Sequence, residues 1–369
     1  MNTVLTEIIA RLADFEPVPY PVLSLYLNAQ PDSVGRDSFD VFLRKAFAER
    51  LKTYAAHAPE RESLEQDVER IRQYLAETLR PSANGVAIFA CAGADGFFEA
   101  VQLDAPVDEH RLYIADRPHL YPLARLDERF PRYAAVLADT NMARIFVFGM
   151  NRLEREEQVV GQKTKRLKVG GWSQARFQRH IENYHLQHVK EVIDTLDRIV
   201  REESIPHILL AGDEVVLPLI REQLPQSLEA KVLDTLRLDI NAPEREVLDA
   251  TLAALRHKGG DTEAELVGRL LDEVRGGGLG VIGADATLEA LQRGQVDELL
   301  ILAQADLLLN VDHVAPVPAG ESDEATPAER AANHLVTLAR QTAASVRFIE
   351  DPLLLAEVGG VGALLRFRL

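Results

Sequence analysis

The sequence contains a single cysteine, Cys91, among 369 residues. One cysteine excludes a disulfide framework within the chain and a metal site built from several thiolates. No apolar run approaches the roughly 18 residues that a membrane-spanning helix needs. The N-terminus lacks the basic start and the cleavage site of a signal peptide. The sequence therefore predicts a cytoplasmic globular protein with no membrane contact and a buried Cys91.

Several motifs of enzyme active sites are also absent. The chain has neither the GxSxG motif of serine hydrolases nor a GKS or GKT phosphate loop. The glycines of "RGGGLGVIGAD" precede a strand instead of linking a strand to a helix, so the dinucleotide-binding fingerprint fails. His180, His185 and His188 are too widely spread around a helix for a compact zinc site. We expect neither a metal nor a cofactor.

Positive charge is scarce, because the chain has 41 basic and 58 acidic residues and a formal net charge of -17. This balance argues against whole-surface nucleic-acid binding, and against DNA as a partner, since phosphate neutralisation needs clustered Lys and Arg. The counts are 14 basic and 21 acidic residues in 1–130, 19 and 19 in 131–258, and 8 and 18 in 259–369. Any nucleic-acid contact should therefore lie in the middle third.

One stretch of the middle third, residues 159–182, departs from the acidic background, and we call it the basic segment. It contains no acid before Glu182 and surrounds the only tryptophan of the chain, Trp172, with glycine and polar residues. Ser173 is a candidate N-cap for a long helix, and helix N-termini favour phosphate. The positive charge comes from Lys163, Lys165, Arg166, Lys168, Arg176 and Arg179. The pattern predicts a basic finger, mounted on a helix, that contacts RNA.

The remaining sequence predicts alternating strands and helices, an α/β (α+β) class, and three domains over residues 1–130, 131–258 and 259–369. Apolar residues recur at spacings of three to five from Phe177 to Ile199, which predicts one long helix over about 173–203. Further helices are expected from about Pro243 and over 261–275. The proline-rich stretch "DRPHLYPLARLDERFP" is expected to be a connection.

The stretch "GGWSQARFQRHIENYHLQHVKEV" resembles the tip and supporting helix of the middle domain of the archaeal and eukaryotic class 1 release factors. Gly170, Gly171, Ser173, Arg176 and Phe177 match that pattern without a gap. The likeness extends in order over the whole chain and includes Pelota and Balon-type proteins. It implies three domains arranged as in those factors, with an RNase H-like middle domain and a C-terminal domain like the kink-turn-binding ribosomal proteins.

Two departures from that family bear on mechanism. The position of the family's catalytic glutamine is occupied by Trp172, directly after Gly170 and Gly171. Its backbone amide is retained, but its indole side chain offers only a hydrogen-bond donor. Gln174, two residues on, is the candidate substitute in a shifted frame. The motifs that read stop codons have no counterpart in "AQPDSVGRDSFDVFLRKAFAER". The resemblance therefore implies a factor that does not recognise stop codons.

The resulting hypothesis is a translation factor that binds the ribosomal A site in ribosome rescue or hibernation. Its basic segment would contact rRNA near the peptidyl-transferase centre and the peptidyl-tRNA. Its acidic C-terminal domain would dock a translational GTPase. One alternative is an enzyme, a peptidyl-tRNA ester hydrolase that uses Gln174. A second alternative is a protein-interaction module on the same fold without a ribosomal role.

Overall fold

The computed structural model describes residues 3–31, 39–161, 174–311, 313–314 and 325–368, and the side chains of 3–4, 174–183 and 261 lie outside the description. The chain forms two compact units. The middle unit comprises residues 130–261, and the composite unit joins residues 3–129 to residues 262–369. None of the described helices is long and apolar enough to span a bilayer. The class is mixed α/β, as expected, while the three-domain division at 130/131 and 258/259 stays a prediction.

Residues 3–129 of the composite unit form an antiparallel four-stranded sheet in the order β3-β2-β1-β4. Leu23, Leu25 and Leu27 alternate along the central strand and are fully buried against helices on one face. The elements are α1 (Thr3–Ala13), β1 (Val22–Asn28), α2 (Phe39–Leu51), α3 (Pro59–Glu77), β2 (Gly85–Cys91), β3 (Phe97–Leu103), β4 (Arg111–Ala115) and α4 (Tyr121–Arg129). Cys91 is buried in β2, as predicted.

The prediction of a connection over 116–131 is wrong, because α4 lies within it. Pro122 occupies the first turn of α4, where a missing backbone N–H leaves no helical hydrogen bond unmade. Leu123 and Ala124 are fully buried and give the helix its packing face. Proline therefore begins this helix and does not exclude it.

The middle unit contains a five-stranded sheet in the order β7-β6-β5-β8-β9. Strands β5, β8 and β9 are parallel, and β6 and β7 run antiparallel to β5 and β6 respectively. This is the RNase H-like strand order that the resemblance implies. The elements are β5 (Tyr133–Ala138), β6 (Met142–Gly149), β7 (Arg152–Val160), α5 (Gln174–Glu202), β8 (His207–Gly212), α6 (Val216–Gln223), α7 (Gln226–Glu229), β9 (Val232–Leu236) and α8 (Glu244–Arg275).

Helix α8 differs from the sequence expectation. The two helices expected from about Pro243 and over 261–275 form one continuous helix of 32 residues. Its first part belongs to the middle unit and its last part to the composite unit. The glycine pair Gly259–Gly260 therefore lies inside a helix and does not end one.

Residues 262–369 add a second four-stranded sheet to the composite unit, in the order β10-β13-β11-β12. Strands β11 and β12 are parallel, and β13 pairs antiparallel with β10 and β11. Leu299, Ile301 and Leu335 are fully buried in its core. The elements are β10 (Gly280–Ile282), α9 (Ala284–Gln292), β11 (Val296–Leu302), α10 (Pro327–Gln341), β12 (Ser345–Ile349) and β13 (Val361–Leu365).

Specific polar contacts join the two parts of the composite unit. The backbone N–H of Leu120 donates to Oδ1 of Asn333 at 2.6 Å, and the Tyr121 hydroxyl donates to the Leu302 carbonyl. The Gln341 amide donates to the Ala13 carbonyl at 2.7 Å. Because these partners are 181 or more residues apart, chain order alone gives no hint of them.

A buried carboxyl lies in the first part of the composite unit. Asp67 of α3 is 0% exposed, and its Oδ2 accepts from the Ala92 backbone N–H at 3.0 Å. Its Oδ1 has no hydrogen-bond partner among the described residues. Burial raises the pKa of Asp67 from 3.8 to about 6, although the Ala92 N–H and Arg70 act in the opposite direction.

We predict that Asp67→Asn stabilises the protein at neutral pH. Since the folded state holds the Asp67 proton more tightly than the unfolded chain, stability falls as pH rises from about 4 to about 6, and the loss is constant above that. The neutral amide should recover on the order of 2 kcal/mol at pH 7.5 and almost nothing at pH 3.5. Urea unfolding at both pH values, with exposed Asp14→Asn as control, measures this. A gain of equal size at both pH values would contradict it.

Candidate functional site: the base of the basic segment

Strand β7 leads into the basic segment and helix α5 leads out of it. Residues 162–173 lie outside the described residues. This places Lys163, Lys165, Arg166, Lys168, Gly170, Gly171, Trp172 and Ser173 outside the description. The backbone of Gln174, Arg176 and Arg179 is helical in the first turns of α5, while their side chains lie outside the description. What the structure does define is the scaffold from which the segment begins and ends.

Helix α5 is a long, firmly anchored support. Its 29 residues span about 44 Å at 1.5 Å per residue. Val189, Val192, Leu196 and Ile199 are at most 1% exposed and lie in one cluster with β5 and β8. The predicted stripe is thereby confirmed from residue 189 onward. The second half of the helix is fixed to the sheet, and the first half carries the end of the basic segment.

Four residues form the base cluster, where β7 ends beside α5: Asn141, Gly161, Tyr184 and His188. The Gly161 backbone N–H donates to the Asn141 carbonyl at 2.9 Å. A Cβ at position 161 would lie 2.8 Å from the Tyr184 hydroxyl, 3.1 Å from the Asn141 carbonyl oxygen and 3.2 Å from Nδ1 of His188. Glycine is required here because the strand passes this close to the helix.

The turn beside the base cluster is stabilised by its own side chains. Oδ1 of Asp139 accepts from the backbone N–H groups of Asn141 and Met142 at 2.7 and 2.8 Å. This Asx turn joins β5 to β6 and fixes the carbonyl that receives the Gly161 N–H.

The end of the neighbouring strand β8 is equally constrained. Gly212 has a φ of +141°, and a Cβ there would lie 1.9 Å from the Ala138 carbonyl oxygen. Oδ1 of Asp213 then accepts from the N–H groups of Val215 and Val216 and begins α6. The carboxyl ends of β5 and β8 therefore form a rigid edge, where open α/β sheets place their sites.

The base cluster supplies positioning and not an evident catalytic group. His188 is 2% exposed, and neither ring nitrogen has a hydrogen-bond partner among the described residues. His185 is half-buried, with its ring centroid 6.2 Å from that of Tyr184, and the His180 side chain lies outside the description. Within the described residues, no group of His, Cys, Asp and Glu has the arrangement of a metal site.

The composite unit has a cleft of about 510 Å³ between residues 107–129 and 303–329. Its arginines face carboxylates: Arg111 pairs with Glu109 at 2.6 Å, and Asp108 lies 3.3 Å from Arg129. Burial, with help from Arg111, lowers the pKa of His119 to about 3, so this imidazole is neutral. The cleft thus holds a neutral histidine and two arginines that are paired with carboxylates.

Sequence reasoning missed the base cluster. Tyr184 and His188 are four residues apart on one helix, which places them on one face. However, nothing in the sequence around Gly161 shows that a strand end approaches that face. Only the folded structure brings Gly161 beside Tyr184 and His188, which are more than twenty residues away in the sequence.

We predict that Gly161→Ala destabilises the middle unit by about 1–2 kcal/mol, because the new methyl overpacks the base cluster. Tyr184→Phe removes the closest atom, so the double variant should recover part of the loss. Urea unfolding of both single variants and the double variant, followed by circular dichroism, gives the coupling energy. Strictly additive effects would show that the two residues do not meet.

Two parts of the chain match known families. Residues 118–256 match Bacterial archaeo-eukaryotic release factor family 10. Residues 261–369 match eRF1 domain 3. The two matches follow each other without overlap and cover the basic segment, its scaffold and the C-terminal sheet.

Individual relatives agree with these matches. Peptide chain release factor subunit 1 of Thermoplasma acidophilum is 27% identical over 281 residues, which are 68% of this chain and 67% of that protein. Its Methanopyrus kandleri counterpart is 25% identical over 252 residues, 65% and 61% of the two chains. The chain thus spans about two thirds of the first relative and less than two thirds of the second.

Among solved structures, Saccharomyces cerevisiae Dom34 is similar over 77% of this chain and 80% of its own, at 10% identity and a TM-score of 0.43. It is described as a translation termination-like factor involved in RNA quality control pathways and interacting with Hbs1. The family models and the two release-factor relatives show that this chain is similar to release-factor-like proteins, with a region that matches family 10 followed by a region that matches eRF1 domain 3.

Proposed function

We propose that the protein binds the ribosomal A site and acts on stalled or idle ribosomes, in rescue or hibernation, without reading a stop codon. The observation that carries the proposal is the mounting of the basic segment. The chain's one basic cluster directly precedes a helix whose second half is buried in the core of the middle unit. Because its support is already rigid, a charged finger can enter an RNA-lined cavity at a smaller cost in conformational entropy.

The charge distribution supports RNA as the partner of the middle unit. Residues 131–258 are balanced, with 19 basic and 19 acidic residues, and six of the basic ones fall within residues 159–182. In the scaffold, arginines are instead paired: Arg132 and Arg155 both contact Glu203, at 2.5 and 2.6 Å. The concentration of basic residues in the basic segment supports rRNA near the peptidyl-transferase centre and peptidyl-tRNA as its partners.

A protein partner suits the C-terminal residues better than RNA does. Residues 259–369 hold 8 basic and 18 acidic residues, a net charge of -10. A surface that bound RNA through its phosphates would be basic. We therefore assign this part to docking a translational GTPase, in keeping with its match to eRF1 domain 3.

Termination at stop codons is not part of the proposal. The stretch between β1 and the end of α2 lacks the decoding motifs of class 1 release factors. Recognition of a codon needs specific side chains that hydrogen-bond base edges. Without them, the first part of the composite unit would sense an A site and not its codon.

Ester hydrolysis by Gln174 is a second candidate, because Gln174 is the first residue of α5. The first backbone N–H groups of a helix have no partner within it and can stabilise an oxyanion. The amide side chain of Gln174 could order a water beside them. Trp172, at the family's glutamine position, offers only an indole N–H.

We predict that reversing Lys163, Lys165, Arg166 and Lys168 to Glu abolishes salt-sensitive binding to ribosomes. The loss of four phosphate contacts should reduce the slope of log K against the logarithm of the salt concentration by about 3 in magnitude. Co-sedimentation with vacant ribosomes, and with ribosomes stalled on a truncated message, at two salt concentrations measures both effects.

The matched control reverses Lys190, Arg221, Arg237 and Arg245, which are exposed residues of the middle unit outside the basic segment. It changes the net charge equally and should retain most of the binding. If both variants bind as the wild type does, the ribosomal proposal fails and a protein-interaction module on this fold remains.

We predict that the wild type releases no peptide from peptidyl-tRNA on stalled ribosomes, and that Gln174→Ala binds equally well. Trp172→Gln restores the family's Gly-Gly-Gln sequence and should introduce measurable release, because its amide can both donate to and accept from water. A puromycin-calibrated release assay provides the readout. Release by the wild type that disappears in Gln174→Ala would establish the hydrolase instead.

A further inference from the structure

The cleft of the composite unit has the volume of a small-molecule site. It encloses about 510 Å³, within the range of about 300–1,000 Å³ that ligand pockets occupy. Its walls come mainly from the two parts of that unit, residues 107–129 and residues 303–329. Val107, Leu126 and Ala305 supply apolar lining, and each is at most 9% exposed. The choice of ligand therefore depends on the charged side chains around this lining.

One wall carries two arginines that share a carboxylate. Nη1 of Arg125 lies 3.7 Å from Oδ2 of Asp108, and Nη1 of Arg129 lies 3.3 Å from Oδ1 of the same residue. Nη2 of Arg125 also contacts Glu350 at 3.1 Å, which holds its guanidinium in place. The Asp108 side chain is 62% exposed, and ion pairs with so exposed a partner contribute little to stability. Asp108 thus marks an anion position between two guanidinium groups, where a ligand carboxylate can replace it.

The other wall is acidic. Of the described residues that line the cleft, those from 303–329 include Asp306 and Glu329 and no basic residue. Asp306 is exposed, whereas Oε2 of Glu329 accepts from the backbone N–H of Thr326 at 2.7 Å. The cleft therefore has arginines on one wall and carboxylates alone as the charged groups of the other.

Tyr121 shows that the two walls lie close together. Its hydroxyl, at the start of α4, donates to the carbonyl of Leu302, the residue that directly precedes the acidic wall. Burial raises the pKa of this hydroxyl, while Arg125 acts in the opposite direction and Asp306 in the same direction. Since such effects weaken with distance, both charges lie near Tyr121, and one small molecule can contact both.

We propose that this cleft binds a free α-amino acid as its zwitterion, with the ligand carboxylate between Arg125 and Arg129 and the ligand ammonium at Asp306. A planar carboxylate matches the guanidinium geometry, and an ammonium group has three donors for carboxylate oxygens. The apolar lining would take an aliphatic side chain. The site concerns the composite unit alone and does not rest on the proposed ribosomal function.

The charge balance of the lining favours a ligand with both signs of charge. Three arginines face four carboxylates: Arg111, Arg125 and Arg129 against Asp108, Glu109, Asp306 and Glu329. A doubly charged phosphate ester would be repelled by the acidic wall, and a simple cation by the arginines. A zwitterion places each of its charges beside the opposite one.

Calorimetric titration of the full-length chain with each of the standard amino acids tests the assignment. We expect an amino acid with an aliphatic side chain to bind and to raise the unfolding temperature, because it contacts both parts of the composite unit. Its methyl ester lacks the carboxylate charge and its N-acetyl derivative lacks the ammonium charge. Each derivative should bind about tenfold more weakly than the parent, since it loses a charged hydrogen bond.

Two variants of exposed residues should change the affinity in opposite directions, which a general loss of structure would not do. Asp108→Asn removes the carboxylate that competes for the arginines and should tighten binding about twofold to fivefold, the value of one exposed ion pair. Asp306→Asn removes the partner of the ammonium and should weaken binding about tenfold. Asp272→Asn is the matched control, because this residue is 80% exposed and pairs with Arg275 away from the cleft. It should leave the affinity unchanged.

Several results would overturn the proposal. Binding of none of the amino acids would remove the site, and binding of the methyl ester or the N-acetyl derivative as tightly as the parent would remove the zwitterion. Inorganic phosphate and AMP serve as anionic probes, and tighter binding of either one would assign the cleft to phosphate compounds instead. A shift of Asp108→Asn and Asp306→Asn in the same direction would show that the two walls do not hold opposite ends of one ligand.

Discussion

The packing of α5 against the parallel strands β5 and β8 is the interaction on which the rest of the middle unit depends. Val189, Leu196 and Ile199 share a dry cluster with Val136 and Leu210. Burial of each such side chain contributes about 1.5–3 kcal/mol. With one half of α5 held this firmly, the other half carries the end of the basic segment.

Constraint at the strand ends complements that packing. Near the start of the basic segment, at Gly161, the backbone passes between the Asn141 carbonyl and the side chains of Tyr184 and His188. Beside it, Gly212 has no room for a Cβ against Ala138. A side chain at position 212 would be blocked by backbone, whereas one at position 161 would crowd the Tyr184 hydroxyl. The segment therefore starts from a defined point and direction, although its own positive charges repel one another.

Local signals in the sequence predict much of this fold. Apolar runs such as "VAIFAC" indicated buried strands, and apolar spacing identified α5 to within a residue at each end. The failures have physical causes. Proline suggested a connection over residues 116–131, but Pro122 occupies the first turn of α4. Two separate helices were expected from about Pro243 and over 261–275, but one helix, α8, runs through both.

The candidate site was predictable only in part, for a related reason. The charge and the long helix are local properties, and the sequence shows both. The base cluster is a meeting of residues 141, 161, 184 and 188 that depends on sheet order. The contact of Leu120 with Asn333, which helps to make one unit from the two ends of the chain, spans even more sequence. Periodicity carries no information about such pairs.

The scaffold and the chemistry of the basic segment are separable, and this matters for what the family likeness implies. The strand order, the anchoring of α5 and the close approach at Gly161 are all defined by residues outside 162–173. Hydrolysis depends on a side chain that both donates to and accepts from water, whereas binding depends on the charges that flank it. If the proposed function holds, Trp172 at the position of that glutamine fits a factor that binds ribosomes through the flanking charges and does not catalyse hydrolysis.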